Sequence, residues 1–565
     1  MLEEKGKTGA EILLDVLNEA GVAYLFSHTG GAVIPIHVEI SRRYRQGLPA
    51  PKRVMFRQEP GAGHAAEGYA RVSGKPGVVI VTSGPGATNL VTPIADAYKD
   101  SIPCVFMTGQ VSSAAIGTDA FQEVPITIIT EPITKFNYLV KDVNDLGWML
   151  RQAFYLASTG RPGPVVVDIC RNATTDRTTN GDESRPMRGY RPDVAMDTGK
   201  AGLILEALAQ AERPVIKAGG GVISGGNSKA FHRFVKAYDV PVALTFMGLG
   251  AIPHDDARFL GMPGMHGTFS ASKALVEADF ILTIGGRFDD RIVTQGFGSN
   301  ARVAHIDIDS SEINKVVKAD LWLCADAGDF LAYALEHTPE NRRDISGWWE
   351  GIRGWQRQHP LRYAQSENPI KPQYLIEQLS EVTGGDATIV TGVGQHQMWA
   401  AQFYRFSRPR QWVSSGSLGP MGYGLPAAIG AYCGNPGKPV VCIEGDGSFQ
   451  MNMQELGTIM EYGLPIKTLI VNNGHLGMVR EWEDLFFEGY HEETDLANPD
   501  FTHLDKVFRR KIETRRVTRA SDVKPALEEM LSDDRPYVVD VWVDKDEDVL
   551  PIIPPGKGLQ DMILE

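Results

Sequence analysis

The chain of 565 residues is too long for one hydrophobic core, and its length predicts three or four domains. Apolar residues make up 43% and charged residues 22%, which is typical of a globular protein. The net charge of −14 is spread without long runs of one sign, which argues against nucleic-acid binding. An anionic substrate would therefore need local positive groups to collect it.

No stretch of about 18 apolar residues is present, so we expect no membrane span. The N-terminal sequence MLEEKGKTGAEILLDVL lacks a basic segment followed by an apolar one, so no signal peptide is expected. The five cysteines form no CxxC pair, and we expect buried thiols rather than disulfides or metal ligands. These features together predict a cytoplasmic protein.

The first predicted element is a helix that begins at a capping box. Thr8 and Glu11 have the spacing of that motif, and apolar residues follow at helical spacing. Helices then alternate with short apolar runs, at 78–82, 104–108 and 165–169, which stop at glycine or polar turns. Strands that are buried on both faces read as such continuous runs, so the pattern predicts a parallel α/β sheet.

Two further α/β units follow the first. A polar segment at 174–193 is typical of a linker, and an irregular region rich in Pro, Trp and charge spans about 337–370. Predicted strands of the later units are at 214–218, 242–245, 280–284, 304–308, 388–391, 440–443, 468–471 and 537–542. We therefore predict three doubly wound parallel-sheet domains at 1–175, 195–338 and 371–550, followed by a tail at 551–565.

The sharpest chemical signal is a GDG…NN pair in the third unit. Asp446 and Asn473 each follow a predicted strand of one β-α-β crossover, so both are expected at the carboxyl edge of the sheet, where ligands bind. One carboxylate and one amide oxygen, with phosphate oxygens and water, suit Mg²⁺. Gly445 and Gly447 allow a pyrophosphate to approach the backbone, and the helix at Ser448 directs its N-terminus there. The alternative is an ordinary turn followed by an ordinary loop.

The GDG…NN pattern resembles that of thiamine-diphosphate (ThDP) enzymes. The surrounding residues resemble one family, the catalytic large subunit of biosynthetic, FAD-containing acetolactate (acetohydroxyacid) synthase, over nearly the whole chain. The segments that carry the resemblance are SGPGATNLVT (83–92), GTDAFQEV (117–124), GRPGPVVVD (160–168), GMHGT (264–268), GRFDDR (286–291), HIDID (305–309), GQHQMWAAQFY (394–404), MGYGLPAAIG (421–430), NMQEL (452–456) and HLGMVREWED (475–484).

The resemblance implies a pyrimidine-binding first domain, a Rossmann-like central domain and a pyrophosphate-binding third domain. It implies that Mg²⁺ is held by Asp446, Asn473 and the backbone carbonyl of His475. Met421 would prop the cofactor in a bent conformation, and plain core packing is its alternative role. The residues implied in ThDP binding are Gln395, His396, Gln397, Gly419, Met421, Gly445, Gly447 and Ser448.

In the first domain, the resemblance assigns Glu59 to the cofactor's pyrimidine ring. A glutamate there shares a proton with the ring and so assists removal of the thiazolium C2 proton. The alternative for Glu59 is a first-turn carboxylate favoured by the helix dipole. Glu67, in the helix body, is expected to be solvated or structural. Because the two cofactor-binding domains of one site come from different subunits in this superfamily, a homodimer or homotetramer is implied, with a small regulatory subunit possible.

The second domain carries the implied FAD site. Gly219, Gly220 and Gly221 follow a strand, which is a weak nucleotide signal alone. Arg287 has a second implied role, holding a keto acid's carboxylate, and an internal salt bridge with Asp289 or Asp290 is the alternative. The implied FAD contacts are Arg161, Gly220, Thr245, Phe246, Met265, His266, Gly286, Arg287, Asp289, Asp307 and Asp326. FAD would be structural, because the reaction has no net redox step.

Four more positions match the family's substrate pocket: Phe121, Gln122, Met478 and Trp482. The Trp482 indole would favour the extra methylene of 2-ketobutyrate over pyruvate by about 1–3 kcal/mol. The alternatives are a surface turn for Phe121 and Gln122 and plain packing, on the loop after Asn473, for Trp482.

The chain departs from the family's usual residues at four places: His28-Thr29 before Gly30-Gly31, Pro60, Arg171 and Pro420. None of these departures removes a charge that the chemistry needs.

The implied activity is acetolactate synthesis, the first common step towards valine, leucine and isoleucine. Pyruvate is decarboxylated and joined to a second 2-keto acid, either pyruvate or 2-ketobutyrate. The rivals are another ThDP-dependent decarboxylase, carboligase or pyruvate oxidase, a catalytically silent assembly or regulatory homologue, and a nicotinamide dehydrogenase. Intact Glu59, Asp446 and Asn473 argue against a silent homologue, and the absence of GxGxxG after Gly219 argues against a dehydrogenase.

Overall fold

A computed structural model describes residues 6–179, 185 and 187–565 of the chain. It contains three parallel sheets of six strands each, which lie one after another along the sequence and are flanked by helices. The predicted fold class is therefore confirmed. The predicted linker at 174–193 falls partly on residues outside the described ones, and the exact domain boundaries stay predictions.

The first sheet spans residues 24–170, and the apolar runs of the sequence predicted three of its six strands, β3, β4 and β6. Its first helix begins after Thr8, whose hydroxyl accepts from the Glu11 amide at 3.3 Å, so the predicted capping box is present. The elements are β1 (Tyr24–Ser27), β2 (Lys52–Met55), β3 (Gly77–Val81), β4 (Cys104–Gln110), β5 (Phe136–Val140) and β6 (Pro164–Cys170), with α1 (Gly9–Glu19), α2 (Ile34–Gln46), α3 (Glu59–Ser73), α4 (Pro85–Thr88), α5 (Val91–Lys99), α6 (Ile126–Thr130), α7 (Val143–Ser158) and α8 (Arg171–Thr175).

The central sheet spans residues 214–324. Its elements are β7 (Pro214–Ala218), β8 (Val242–Leu244), β9 (Phe259–Gly261), β10 (Phe280–Ile284), β11 (Arg302–Asp307) and β12 (Leu321–Cys324), with α9 (Thr198–Gln210), α10 (Gly220–Ser224), α11 (Ser228–Tyr238), α12 (Phe269–Glu277), α13 (Ala327–Glu336) and α14 (Ser346–Gln358). The expectation of an irregular region at 337–370 is wrong in part, because α14 buries Trp348, Trp349 and Ile352 on one face.

The third sheet spans residues 388–542. Its elements are β13 (Thr388–Thr391), β14 (Trp412–Val413), β15 (Val440–Gly445), β16 (Lys467–Asn472), β17 (Glu513–Val517) and β18 (Tyr537–Trp542), with α15 (Pro372–Val382), α16 (Gln395–Phe403), α17 (Gly424–Gly434), α18 (Asp446–Asn452), α19 (Leu456–Tyr462), α20 (Gly477–Phe486), α21 (Leu504–Val507) and α22 (Val523–Ser532).

Strand order locates the places where ligands can bind. The first and third sheets share one order, β2-β1-β3-β4-β6-β5 and β14-β13-β15-β16-β18-β17, whereas the central order is β12-β11-β10-β7-β8-β9. In the central sheet the order reverses between β7 and β10, and in the third between β13 and β15. Crevices at the carboxyl ends of such switch points receive ligands in open α/β sheets.

Packing between the outer domains is carried by two helices rich in small residues. Gly68 and Gly430 have no room for a side chain, because a Cβ at either would lie about 2 Å from a carbonyl oxygen of the facing helix, Ala427 or Ala65. Helix α3, which begins at Glu59, is thereby fixed against α17 of the third domain.

The remaining composition-based expectations can be checked directly. All five cysteines are unpaired, and four are buried, as predicted, whereas Cys324 is half-buried. Within residues 6–179, 185 and 187–565, no helix combines the length and apolarity needed to cross a bilayer.

Candidate active site

The GDG turn and the NN pair meet at the carboxyl edge of the third sheet. Strands β15 and β16 are parallel neighbours, so Asp446 and Asn473 follow directly from adjacent strand ends, as the sequence predicts. One Asp446 carboxylate oxygen accepts from the Gly474 amide at 3.1 Å and from the Asn498 side chain at 2.5 Å. Burial raises the pKa of Asp446 to about 6. A divalent cation beside this carboxylate would offset that penalty.

The loop after β16 is tied to the neighbouring helix α16. The Asn473 amide donates to the Gln395 side-chain oxygen at 3.1 Å, and its own oxygen accepts from the His475 backbone at 3.1 Å. The His475 ring lies 2.8 Å from the Asp495 carboxylate. Gln395 also donates to Glu481 at 2.8 Å. The predicted metal and diphosphate residues thus share one set of hydrogen bonds at the β13/β15 switch point.

The GDG turn is shaped as a cradle that excludes side chains. A Cβ at Gly447 would lie 2.7 Å from Leu476 and 3.4 Å from the terminal methyl of Met421. Met421 therefore stands beside the turn. The Ser448 hydroxyl accepts from the Gly422 amide at 3.0 Å, which draws the Met421 segment onto the turn.

Two neighbouring residues, His396 and Gly419, have features that suit a bound group. His396 is buried, and its Nε2 has no hydrogen-bond partner within the described residues. Gly419 has φ of +70°, which glycine adopts without strain. Oxygen donors, a glycine cradle and a buried free nitrogen fit a group with a diphosphate and a divalent cation.

Glu59 lies at the edge of the first domain rather than in this cluster. It is half-buried at the start of α3, and one carboxylate oxygen accepts from the Asn89 amide at 2.9 Å. Within the described residues, no hydrogen bond joins Glu59 to Asp446 or Asn473. Pro60 occupies the first turn of α3, where a helix makes no use of the missing N–H, so this departure disturbs no backbone bond.

The loop of Phe121 and Gln122 stands beside the Glu59 region. Gln122 has φ of +63° and packs closely on Gly84. A Cβ added at Gly84 would lie 2.8 Å from the Cβ of Gln122. A Cβ at Gly86 would lie 3.4 Å from a Glu59 oxygen. The Phe121 side chain is 88% exposed. Gln122 and Glu59 thus flank one glycine loop, while Phe121 extends away from the domain.

Glu67 is buried. Of the two roles expected for it, the solvated one is therefore wrong and the structural one holds. One carboxyl oxygen lies 2.9 Å from His64 Nδ1, within the contact between α3 and α17. Burial raises the pKa of Glu67 to about 8 and lowers that of His64 to about 4.

A large cavity of about 890 Å³ opens at the switch point of the central sheet, between β7 and β10. Its walls include every residue that the resemblance implies in FAD binding: Arg161, Gly220, Thr245, Phe246, Met265, His266, Gly286, Arg287, Asp289, Asp307 and Asp326. Gln397 and Gly419 of the third domain also line it, so the cavity reaches towards the GDG cluster. Its size and its position at a switch point fit a nucleotide cofactor.

Two arginines of this cavity have defined partners. The Arg287 guanidinium donates to the Ser417 hydroxyl at 2.8 Å. The alternative salt bridge of Arg287 with Asp289 or Asp290 is not found among the described residues. Arg161 forms ion pairs with Asp309 at 3.0 Å and Glu312 at 2.7 Å.

The predicted specificity residues Met478 and Trp482 lie on helix α20. Placing Trp482 on a loop was therefore wrong. Its ring is half-buried, and its centroid is 5.6 Å from that of Phe486. Met478 packs against the large core of the second and third domains.

Glu481, the buried residue of this helix, was not predicted from the sequence. It accepts from Gln395 and, at 3.0 Å, from the Val549 amide, so it links the cofactor loop to the chain's C-terminal segment. Its neighbours Arg480 and Glu483 are charged, and a carboxylate among charged residues gave no signal of burial.

Comparisons with known proteins agree with this geometry. Three thiamine pyrophosphate enzyme families match the chain: the N-terminal TPP binding domain at 7–128, the central domain at 203–333 and the C-terminal TPP binding domain at 392–541. Acetolactate synthase 1, chloroplastic, of Oryza sativa subsp. japonica is 45% identical over 99% of this chain and 88% of its own length. That of Zea mays is 45% identical over 99% and 89%, and acetolactate synthase, chloroplastic, of Arabidopsis thaliana is 44% identical over 100% and 85%.

Full-length identity at this level, together with three matching domains and the GDG cluster, leaves one assignment: the chain belongs to the acetolactate synthase family of thiamine pyrophosphate enzymes.

Proposed function

We propose that the chain is a ThDP- and Mg²⁺-dependent acetolactate synthase that carries FAD. It joins the two-carbon unit left by decarboxylation of one pyruvate to a second 2-keto acid. Pyruvate as acceptor gives 2-acetolactate, and 2-ketobutyrate gives 2-aceto-2-hydroxybutyrate. The observation that carries the proposal is the cluster at the switch point of the third sheet, where Asn473 donates to Gln395 and Asp446 accepts from the Gly474 amide.

In this proposal the third domain holds the charged end of the cofactor. Asp446, Asn473 and the His475 carbonyl bind Mg²⁺, while the α16 turn, Gly447 and Ser448 receive the diphosphate. When bound, ThDP supplies the carbon nucleophile that attacks the keto carbon of pyruvate. Met421 packs beside the Gly447 turn and fixes the direction in which the cofactor leaves it.

Glu59 is the proposed proton carrier at the pyrimidine ring. Its carboxylate already accepts from Asn89, which fixes its direction, and it is only half-buried at a domain edge. Because Glu59 has no hydrogen bond to the GDG cluster of its own chain within the described residues, we infer that it serves the cluster of a second copy. The enzyme is then at least a homodimer with two sites.

The residues that bind the substrate are assigned by their charge and shape. The Arg287 guanidinium binds the keto acid's carboxylate as a planar donor pair, with Ser417 holding it towards the third domain. Trp482 and Met478 on α20 meet the side chain of the acceptor keto acid. Phe121 and Gln122 close the pocket from the first domain.

FAD is proposed to fill the central cavity in a structural role. The cavity combines the turn after β7, the turn after β10 and the acidic Asp307 and Asp326, which suit ribose hydroxyl groups. Neither decarboxylation nor carbon–carbon bond formation transfers electrons to it. A regulatory subunit and a cytoplasmic location stay predictions.

The direct test is product analysis of the purified protein with pyruvate, with and without 2-ketobutyrate, ThDP, Mg²⁺ and FAD. We expect 2-acetolactate, formed only when ThDP and Mg²⁺ are present, and a mixed product when both keto acids are supplied. Acetaldehyde, or acetyl phosphate with peroxide, as the main product would refute the proposal in favour of a decarboxylase or an oxidase.

A matched pair of variants tests the site itself. Asp446→Asn removes the carboxylate from the proposed Mg²⁺ ligands, whereas Asp534→Asn makes the same change at an exposed position. We expect only the first to weaken ThDP binding, by about 100-fold, while quenching of FAD fluorescence on binding is retained in both. Equal ThDP affinity in the two variants would contradict the assignment.

A further inference from the structure

Three buried polar side chains form a row across the central sheet. Lys217 on β7, Thr283 on β10 and His305 on β11 are in register across three adjacent parallel strands, so they lie on one face. All three are fully buried. The Thr283 hydroxyl and His305 Nδ1 have no hydrogen-bond partner among the described residues. Polar groups in a sheet core cost free energy, so this row calls for a compensating role.

The row lies directly beneath the segment that follows β10. Lys217 Nζ donates to the carbonyl oxygen of Arg287 at 2.8 Å. His305 Nε2 lies 3.2 Å from the carbonyl oxygen of Gly286. Two side chains from strands on either side of β10 thus hold two consecutive carbonyls of this segment. Neither contact involves the cavity, because both arise on the core side of the chain.

The ring of Phe288 closes the arrangement. Lys217 Nζ is 3.8 Å from the centroid of that ring, and the His305 ring meets it edge-on at 5.0 Å. The lysine therefore contacts both Arg287 and Phe288, while the Arg287 side chain projects to Ser417 and the cavity. The segment is thus held from the core side through the carbonyls of Gly286 and Arg287 and through the ring of Phe288.

Burial also works against the lysine's charge. Desolvation lowers the pKa of Lys217 to about 7, and the nearby carboxylates of Asp289 and Asp307 oppose that shift. A Leu or Met at this position would avoid the penalty entirely. The contacts of Lys217 with the Arg287 carbonyl and the Phe288 ring compensate the desolvation penalty. These two contacts are therefore the contribution that the lysine makes at this position.

We propose that Lys217 is a positioning residue for Arg287. By holding the Arg287 carbonyl from inside the sheet, it sets the direction in which the guanidinium meets the keto acid's carboxylate. The inference rests on the proposed role of Arg287 in substrate binding. Thr283 lies in the same row, and its hydroxyl has no hydrogen-bond partner in the part of the chain that the structure describes, so it is predicted to contribute nothing to that direction.

The test compares Lys217→Met with Thr283→Val in the full-length protein loaded with ThDP, Mg²⁺ and FAD. Met keeps the length and packing of the lysine but has no donor. We expect Lys217→Met to raise KM for pyruvate about tenfold and to leave kcat within about twofold. Its apparent melting temperature is expected to equal or exceed that of the parent, because a buried charge is lost. Thr283→Val is expected to leave both kinetic constants unchanged.

A double-variant cycle separates positioning from general destabilisation. Arg287→Ala alone is expected to raise KM about 100-fold, and adding Lys217→Met is expected to raise it no further. If Lys217→Met does not fold, Lys217→Gln replaces it, because its shorter amide remains polar but does not reach the Arg287 carbonyl, and the same rise in KM is expected.

Three results would overturn the inference. Unchanged KM in a folded Lys217 variant, with KM raised by Arg287→Ala, would reject positioning while leaving the proposed function intact. Additive effects of the two substitutions would show that Lys217 acts independently of Arg287. Unchanged KM in Arg287→Ala would reject the proposed role of Arg287 itself, and the inference with it.

Discussion

The central cavity and the thiamine site are built in opposite ways. All eleven residues implied in FAD binding line one cavity within one chain. The residues implied in ThDP binding fall into two groups: Glu59 and Gln122 beside the glycine loop of the first domain, and the GDG cluster on the third. Both cavity and cluster lie at switch points, so strand order alone does not explain the difference.

The exposure of apolar side chains explains the difference between the two cofactor sites better than strand order does. Phe121 is 88% exposed beside the Glu59 region, and Met451, on the GDG helix α18, is 52% exposed. Contiguous exposed apolar patches mark surfaces that meet a partner, and in the proposed homodimer the second copy would cover these side chains. The central cavity is therefore complete in one folded chain. The thiamine site, in our proposal, is complete only when two copies associate.

Glu59→Gln should give the largest effect, because it removes the proposed proton carrier while keeping its size. We expect activity to fall about 10²- to 10⁴-fold, which is the usual contribution of general acid–base catalysis. Flavin binding and apparent melting temperature should not change, because Glu59 is not among the described residues that line the central cavity. Steady-state kinetics measures the activity, and flavin fluorescence measures flavin binding. The exposed Glu131→Gln serves as control, and equal activity of both variants would refute the role of Glu59.

Mixing two inactive variants tests directly whether a site is shared between chains. In a dimer of Glu59→Gln with Asp446→Asn, one site carries both substitutions and the other carries neither. Random pairing after co-expression should therefore restore about a quarter of the parent activity. Separately purified homodimers should stay inactive. If each chain held a complete site, co-expression would restore nothing, and the proposed difference between the two cofactor sites would disappear.

The sequence predicted the interior of each sheet better than its edges. Continuous apolar runs such as 165–169 and 280–284 identified strands buried on both faces. Three edge strands carry no such run: β2 is KRVM, β17 is ETRRV, and β14 has only two residues. Their register is set by the neighbouring strand rather than by their own composition.

Local sequence patterns also failed to predict which polar residues are buried. Glu67, Glu481 and Lys217 look like surface residues in sequence, and only the packing of distant elements buries them. The GDG and NN turns were predictable because each follows directly from a strand end, so local order fixed their place. Glu67 depends on α17, more than 350 residues further along, and no local pattern indicates that contact.

Trp482→Leu sharpens the comparison at the acceptor pocket, where we expect a moderate effect. The indole is proposed to pack on the side chain of the acceptor, and its loss removes contact with about one methylene. Preference for 2-ketobutyrate over pyruvate should fall about tenfold, while acetolactate formation from pyruvate alone changes little. Product ratios from an equimolar mixture measure this. Trp542→Leu, at a half-exposed tryptophan of the same domain, should leave the ratio unchanged, and equal ratios in both variants would reject the assignment.

The smallest effect concerns the helix behind Glu59, where Glu67 is buried against α17 near His64, Asp96 and Arg71. Burial raises the pKa of Glu67 from its ordinary 4.5 to about 8. In the unfolded chain the carboxyl group loses its proton above pH 4.5, whereas in the folded chain it keeps the proton until about pH 8. Unfolding therefore releases a proton throughout this window, and rising pH lowers the stability of the folded protein.

Glu67→Gln does not titrate, so its stability should lack this part of the pH dependence. The apparent melting temperature of the variant relative to the parent should rise steadily between pH 5 and 8, by about 2 °C or more over the window. The slope, rather than the absolute difference, carries the prediction, because the substitution itself shifts the baseline at every pH. Glu336→Gln, at an exposed position, should follow the parent at each pH. A constant difference between Glu67→Gln and the parent would mean that Glu67 is ionised in the folded chain, held by Arg71 despite its burial.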